Sequence, residues 1–181
     1  MGLPRLLLGN SSALPIQCRG TPMKRTRALD ILAKAGVPHE VREFAAREFT
    51  VEEAAEKLGL SLSLVFKTLL VRGERKGLVF ALTPGDARLS LSKLAKAMGD
   101  KRAELVDVED LFRLTGYLKG GCAPLGAKRD FPVFMDQSAM AHARICVSAG
   151  LRGLQVLIAP ADLQRMTRAT LADLCEGEPA S

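Results

Sequence analysis

Lys67 has the setting that most suggests chemistry. It is the one charged residue in the apolar segment 64–71, and the pattern predicts a helical turn to about Val65 followed by a strand that holds the lysine. On that strand, Lys67 shares a face with Val65 and Leu69. An ammonium on an apolar face is costly unless it is paired, hydrogen-bonded or open to a cleft. Lys67 therefore either borders a cleft or extends its stem over apolar surface to reach water.

The glycine-rich segment 120–126 is the second candidate for chemistry. Gly120 and Gly121 allow the backbone to approach a ligand closely, so that amide N–H groups can point into a pocket. Such groups could hold a carbonyl oxygen as negative charge develops on it. The segment is not a phosphate-binding P-loop, because no Gly-Lys-Ser/Thr follows. An ordinary turn is the alternative interpretation, and Lys128 and Arg129 just downstream are either phosphate contacts or solvated charges.

The cysteines predict neither a metal centre nor a disulfide framework. There are four, widely separated and without a C-x-x-C pair, which favours a reducing cytoplasm. Cys122 lies in the glycine-rich segment, but a cysteine nucleophile needs an activating base, and His39 and His142 are distant in sequence. No pair of carboxylates stands out as a general acid and base. We therefore predict no metal, no cofactor and no cysteine nucleophile.

Composition predicts one globular domain whose basic charge suits either an anionic partner or solubility alone. The chain has 181 residues, 48% hydrophobic, and a net charge of +6, which argues against disorder. Aromatic residues make up only 4%, which argues against a module that stacks bases along a single strand. No apolar run approaches the roughly 20 residues that span a bilayer, so we expect no membrane association. Residues 1–22 read as a disordered extension, residues 23–175 as the folded domain and residues 176–181 as a tail.

The order of the predicted elements indicates an α+β fold. Helices are expected over residues 24–35, from the Thr50–Glu53 capping box to Leu58, over 90–97, over 107–114 and after Pro160. Strands are expected over residues 37–44, 66–71, 78–82, 132–135, 145–147 and 154–158. Helices and strands alternate irregularly, and residues 72–77 suit the turn of a hairpin. This pattern predicts a single domain with a mixed, mostly antiparallel sheet flanked by helices.

Several short motifs together resemble the YbaK family of prolyl-tRNA editing proteins, above all its free-standing Cys-tRNA(Pro) deacylases. The resemblance covers residues 24–174. Its motifs occur in the family's order and spacing, which is far more specific than any one of them. They are FKTLLV at 66–71, the lysine-rich helix at 89–99, TGYLKGG at 115–121 with PLG at 124–126, VSAG at 147–150 and RGL at 152–154.

The resemblance implies a pocket for the aminoacyl-adenosine end of tRNA, with Lys67 and Gly120 at the positions of the family's essential lysine and glycine. It also implies a transient association with prolyl-tRNA synthetase. In the cysteine-specific members, the thiol of the substrate attacks its own ester and leaves as a cyclic thiolactone. The residues that the resemblance places in the substrate-binding pocket are Phe44, Thr68, Gly121, Cys122, Ala123, Pro124 and Gln155.

Three of these positions depart from the cysteine-editing pattern. Phe44 stands where that type has a tyrosine, Ala123 where it has a serine, and Gln155 where it has an aspartate. Each change removes a hydroxyl or a charge from the expected pocket. Editing of alanine or another small amino acid, with water as the nucleophile, is therefore an alternative to Cys-tRNA(Pro) deacylation. A non-catalytic module that binds tRNA or a synthetase is a second alternative.

Overall fold

The computed structural model describes residues 24–177. The extension predicted for residues 1–22 and the end of the predicted tail lie outside this range. No helix in the described range is long and apolar enough to cross a membrane. The elements in chain order are α1 (Arg27–Lys34), β1 (His39–Glu43), α2 (Val51–Leu58), β2 (Phe66–Gly73), β3 (Gly77–Pro84), α3 (Leu91–Met98), β4 (Ala103–Leu105), α4 (Val108–Thr115), β5 (Val133–Asp136), β6 (Ile145–Leu151), β7 (Leu154–Ile158), α5 (Pro160–Thr167) and β8 (Thr170–Ala172), with short 3-10 helices at Leu62–Leu64 and Gln137–Ala141.

The strands confirm the predicted α+β class and divide into two sheets. One sheet has the order β1-β7-β6 and is antiparallel, and the other has the order β4-β2-β3-β5-β8. In the larger sheet β5 pairs parallel with β3 and with β8, whereas β2 pairs antiparallel with β3 and β4. Most pairings are thus antiparallel, as the hairpin signals predicted. The sequence analysis did not predict β4 and β8, which have three residues each.

The two sheets meet at one end of β2 and then separate. Val65 forms a parallel bridge with Cys146 at the start of β6. On the same edge of β2, pairing with β4 covers only the far end of the strand, from Val71 to Gly73. Within the described part of the chain, the stretch of β2 between these two contacts has no strand partner on its outer edge. A gap between the sheets therefore borders the segment that contains Lys67.

Side-chain caps and glycines fix the helix ends. The hydroxyls of Thr26, Thr50 and Ser90 each accept a hydrogen bond from an N–H in the first turn of the helix that follows, which satisfies donors that have no partner inside the helix. Gly59 and Gly99 end α2 and α3 in the left-handed conformation, which costs a glycine little. The predicted ends of both helices are confirmed.

The predicted capping box at α2 is only half correct. Thr50 Oγ1 accepts from the Glu53 N–H at 3.1 Å, but the Glu53 carboxylate does not return to Thr50. It accepts instead from the N–H groups of Arg47, Glu48 and Phe49, at 2.6, 2.9 and 3.0 Å. The glutamate turns toward this preceding loop because three backbone donors converge there, and it thereby fixes the loop next to the gap between the sheets.

Candidate active site

A cavity of about 420 Å³ fills the gap between the two sheets. This volume lies within the range of about 300–1,000 Å³ that is typical of small-molecule sites. Both sheets, the start of α2, the edge of α4 and the glycine-rich loop contribute to its wall. The lining residues are Phe49, Thr50, Val51, Glu52, Ala54, Val65, Phe66, Lys67, Thr68, Leu69, Leu70, Leu105, Val106, Val108, Leu111, Lys119, Gly120, Cys122, Ser148 and Gln155.

Lys67 is half-buried in this wall, and its ammonium is hydrogen-bonded. Lys67 Nζ donates to the carbonyl oxygen of Ala87 at 2.6 Å. This contact offsets part of the cost of placing a cation among apolar side chains. The other charged residues in the wall are Lys119 and Glu52, both exposed. Lys67 thus borders the cleft, but the Ala87 carbonyl that holds its ammonium lines a second cavity, together with Asp136 and Cys175.

Gly120 has a conformation and surroundings that suit only glycine. Its φ is +81°, where side chains are strained. A Cβ here would overlap the Cβ of Phe49 and lie 2.9 Å from the carbonyl oxygen of Phe49. Among the described residues, the Gly120 N–H has no hydrogen-bond partner, whereas the Gly121 N–H donates to the Leu118 carbonyl at 2.9 Å. Gly120 therefore lines the cavity with an amide that has no partner among the described residues, and Gly121 closes the turn.

Thr68 adds unpartnered polar groups to the wall. Its hydroxyl is buried and has no hydrogen-bond partner in the described structure. The Leu70 carbonyl accepts a hydrogen bond from the Val106 N–H at the outer edge of β2. Alternate residues of a strand present their N–H and C=O to the same edge, so the backbone N–H and C=O of Thr68 also point to this outer edge. Unpaired buried polar groups are costly, so this stretch of wall is suited to a polar ligand.

Cys122 cannot act as a nucleophile in this setting. Its side chain is buried, and burial raises the pKa of the Cys122 thiol to about 12, so the thiol stays protonated at neutral pH. No described residue lining the cavity is a histidine. His39 Nδ1 lies 2.7 Å from the Val37 carbonyl oxygen, and His142 borders a different cavity. The wall therefore offers hydrogen bonds and positive charge, without a nucleophile–base pair.

The structure brings together five of the nine predicted site residues. Lys67, Thr68, Gly120, Cys122 and Gln155 all line the cavity. The Gln155 side chain is buried, and its amide oxygen lies 3.9 Å from Cys146 Sγ. The pocket thus combines residues of β2, β7 and the glycine-rich loop.

The other four predicted residues do not line this cavity. Phe44 packs with the apolar residues around α2, Gly121 lies in the turn described above, and Ala123 is fully buried in the main core. Pro124 borders a separate cavity with Arg129 and Phe131. The chain turns away from the cavity after Cys122, which residue spacing alone does not reveal.

Three residues that border the cavity or contact its rim were not predicted as site residues: Phe49, Ser148 and Arg152. Ser148 faces the interior from β6, and its hydroxyl accepts from the Gly150 N–H at 3.3 Å. Phe49 has a φ of +60°, and the guanidinium carbon of Arg152 lies 3.9 Å from the centre of its ring. The RGL motif contains Arg152 and could have marked it as a site residue. Nothing in the sequence indicates the backbone conformation of Phe49. In residues 24–177, no group of three or more His, Cys, Asp or Glu side chains is arranged to hold a metal ion.

Comparisons with known proteins agree on one domain type. A sequence profile described as the aminoacyl-tRNA editing domain matches residues 46–166. EbsC of Enterococcus faecalis is 38% identical over 157 residues, which is 86% of this chain and 96% of EbsC. That protein carries the provisional name of a Cys-tRNA(Pro)/Cys-tRNA(Cys) deacylase.

A ligase and a solved structure extend the comparison. A proline–tRNA ligase of Thermosipho africanus is 35% identical over 80 residues, 44% of this chain but only 14% of the ligase. A crystal structure described provisionally as a trans-editing enzyme for prolyl-tRNA synthetase superposes with a TM-score of 0.76 at 29% identity, and the match covers 83% of this chain and 96% of that one. The sequence and fold similarities thus converge on the same region of the chain.

Proposed function

The chain belongs to the aminoacyl-tRNA editing domain family, and on that basis we propose that it is an aminoacyl-tRNA deacylase that removes cysteine from mischarged tRNA(Pro) in trans. The observation that carries this proposal is that Lys67 and the free amide of Gly120 line one cavity of about 420 Å³. That cavity can accept an amino acid and its ribose, while the rest of the tRNA stays outside.

Catalysis in this cavity rests on charge stabilisation. The Gly120 N–H donates to the ester carbonyl as negative charge grows on its oxygen, and the ammonium of Lys67 positions the terminal ribose and stabilises the same charge. One such donor typically contributes about 10²- to 10³-fold in rate. The Lys67 ammonium is held by the Ala87 carbonyl, which borders a second cavity, so this role requires it to leave that carbonyl and turn toward the substrate.

The nucleophile comes from the substrate. Cys122 is protonated at neutral pH, because burial raises its pKa to about 12, and no histidine in the described chain lines the cavity. The cysteinyl thiol attacks its own ester carbonyl, a sulfur–carbon bond forms, the carbon–oxygen bond to the ribose breaks, and the thiol proton ends on the ribose oxygen. The products are a cyclic thiolactone and uncharged tRNA.

The choice of tRNA comes from a transient association with prolyl-tRNA synthetase. The cavity is large enough only for the acceptor end and cannot read the body of the tRNA. A stretch of a proline–tRNA ligase resembles this chain, which supports a shared substrate for the two proteins. A basic sequence pI of about 9.4 favours contact with the tRNA itself.

A panel of charged tRNAs tests the proposal. We expect Cys-tRNA(Pro) to be deacylated faster than Ala-tRNA(Pro), with release of a thiolactone that a nucleophile such as hydroxylamine can trap. We also expect prolyl-tRNA synthetase to increase the preference for tRNA(Pro). Equal cleavage of the alanyl substrate would instead support attack by water, the alternative favoured by Gln155. Salt-dependent tRNA binding without cleavage of any substrate would refute the deacylase activity and would support the non-catalytic binding module.

A further inference from the structure

Arg152 and Phe49 form a stacked pair at the rim of the cavity. The Arg152 guanidinium carbon lies 3.9 Å from the centre of the Phe49 ring, a distance typical of a cation–π contact. Arg152 Nε also donates to the Lys119 carbonyl oxygen at 2.8 Å. The arginine therefore bridges the loop before α2 and the residue before Gly120, and both Phe49 and Lys119 line the cavity.

The loop holds Phe49 in place at a conformational cost. A phenylalanine with a φ of +60° is strained. The Glu53 carboxylate offsets this strain because it accepts hydrogen bonds from the N–H groups of Arg47, Glu48 and Phe49. Burial raises the pKa of Glu53, but these three donors outweigh it and hold the pKa below its usual value of 4.5. The carboxylate stays ionised at neutral pH and keeps the aromatic ring under the guanidinium.

The outer end of the guanidinium is free. Arg152 is exposed, and among residues 24–177 it forms no ion pair and its two terminal nitrogens have no hydrogen-bond partner. Arg113, Arg144 and Arg165, in contrast, direct their terminal nitrogens to carboxylates. Arg152 is thus a fixed cation with an unused pair of donors, next to Lys119.

We infer that Arg152 binds the phosphate of the terminal nucleotide of the substrate tRNA, a positioning role that rests on the proposed function. With the aminoacyl group and ribose inside the cavity, the phosphate of the same nucleotide lies at the rim. The planar, two-pronged guanidinium matches a phosphate in geometry and charge. Stacking on Phe49 and the hydrogen bond to the Lys119 carbonyl already restrict the Arg152 side chain. Arg152 therefore loses less conformational entropy when it binds the phosphate.

Three substrates of increasing size test this inference: cysteinyl-adenosine, cysteinyl-adenosine with a 5′ phosphate, and cysteinyl-tRNA(Pro). For Arg152→Ala we expect kcat/KM to fall about tenfold more on the second and third substrates than on the first, mainly through KM. With cysteinyl-tRNA(Pro) as the substrate, the slope of log KM against the logarithm of the salt concentration should also fall by about 0.7. This is the change expected when one phosphate contact to a single strand is lost.

Arg129→Ala is the matched control. Arg129 also lies over a phenylalanine ring, Phe131, at 5.0 Å, but it borders a different cavity, so its removal should leave the rates on the two small substrates unchanged. An equal loss for Arg152→Ala on all three substrates, no loss on any, or a loss with tRNA alone would overturn the assignment. If the wild-type protein cleaves none of the three, the proposed function itself fails, which is a distinct result.

Discussion

Substitution of Gly120 by alanine should destabilise the protein far more than the same change at another left-handed glycine. At φ +81°, the backbone strain of an alanine costs about 1–2 kcal/mol. The new Cβ also overlaps the Cβ of Phe49 and lies 2.9 Å from its carbonyl oxygen, and overpacking of this kind costs about 1–3 kcal/mol. After allowance for the smaller entropy of the unfolded alanine chain, we expect a loss of about 3 kcal/mol.

Gly99→Ala is the matched control for this prediction. Gly99 has a φ of +69°, and nothing lies within 4 Å of the Cβ that would be added, so only the backbone term of about 1 kcal/mol applies. For a chain of this size these losses lower Tm by about 6–12 °C for Gly120→Ala and about 2–4 °C for Gly99→Ala. Urea unfolding followed by far-UV circular dichroism suits the chain, which has one tyrosine and no tryptophan.

A third variant isolates the steric contribution. Phe49→Gly removes the Cβ that the new methyl group would overlap, at a position whose φ of +60° suits glycine. In that background the cost of Gly120→Ala should fall by about 1 kcal/mol. The reasoning is refuted if Gly120→Ala is no more destabilising than Gly99→Ala, or if its cost is the same with and without the Phe49 side chain.

Two further predictions concern the ionisable groups of the site. Burial raises the Cys122 pKa to about 12, so Cys122→Ser should keep the deacylation rate within about twofold. For the same reason the rate of Cys122 alkylation in the folded protein should still be rising with pH at pH 10. A plateau of the alkylation rate near pH 8 would contradict this. Because its three N–H donors lower the Glu53 pKa, the ionised carboxylate stabilises the fold above pH 4.5 and this stabilisation is lost as the pH falls through the lower, folded-state pKa. Glu53→Gln should therefore destabilise the protein at pH 7 and do so less at pH 3.5 in urea unfolding. A difference that does not change with pH would contradict this hydrogen-bond network.

Local signals in the sequence predicted the elements that position the site. The hydroxyl of Thr50 and the glycine at position 59 marked the ends of α2, and the apolar run around Lys67 predicted its strand and hairpin. These features depend on neighbouring residues only. The motif resemblance then indicated which lysine and which glycine share a cavity.

Features set by contacts distant in sequence were not predictable. The division into two sheets depends on the bridge between Val65 and Cys146, which are 81 positions apart in the chain. The conformation of Phe49 depends on which N–H groups the Glu53 carboxylate accepts from, and a capping-box pattern predicts the N–H of Thr50 instead. The resemblance placed Pro124 in the pocket with Cys122, but the chain changes direction between them and Pro124 borders a separate cavity.

Single-turnover deacylation of Cys-tRNA(Pro) by Lys67→Met measures the central claim most directly. Lys93→Met is the control, because Lys93 also makes one short contact, 2.7 Å to Asp173, but does not line the cavity. We predict that Lys67→Met stays folded and loses at least about 100-fold in rate, whereas Lys93→Met stays within about twofold of wild type. A folded Lys67→Met protein that deacylates at the wild-type rate would contradict the account.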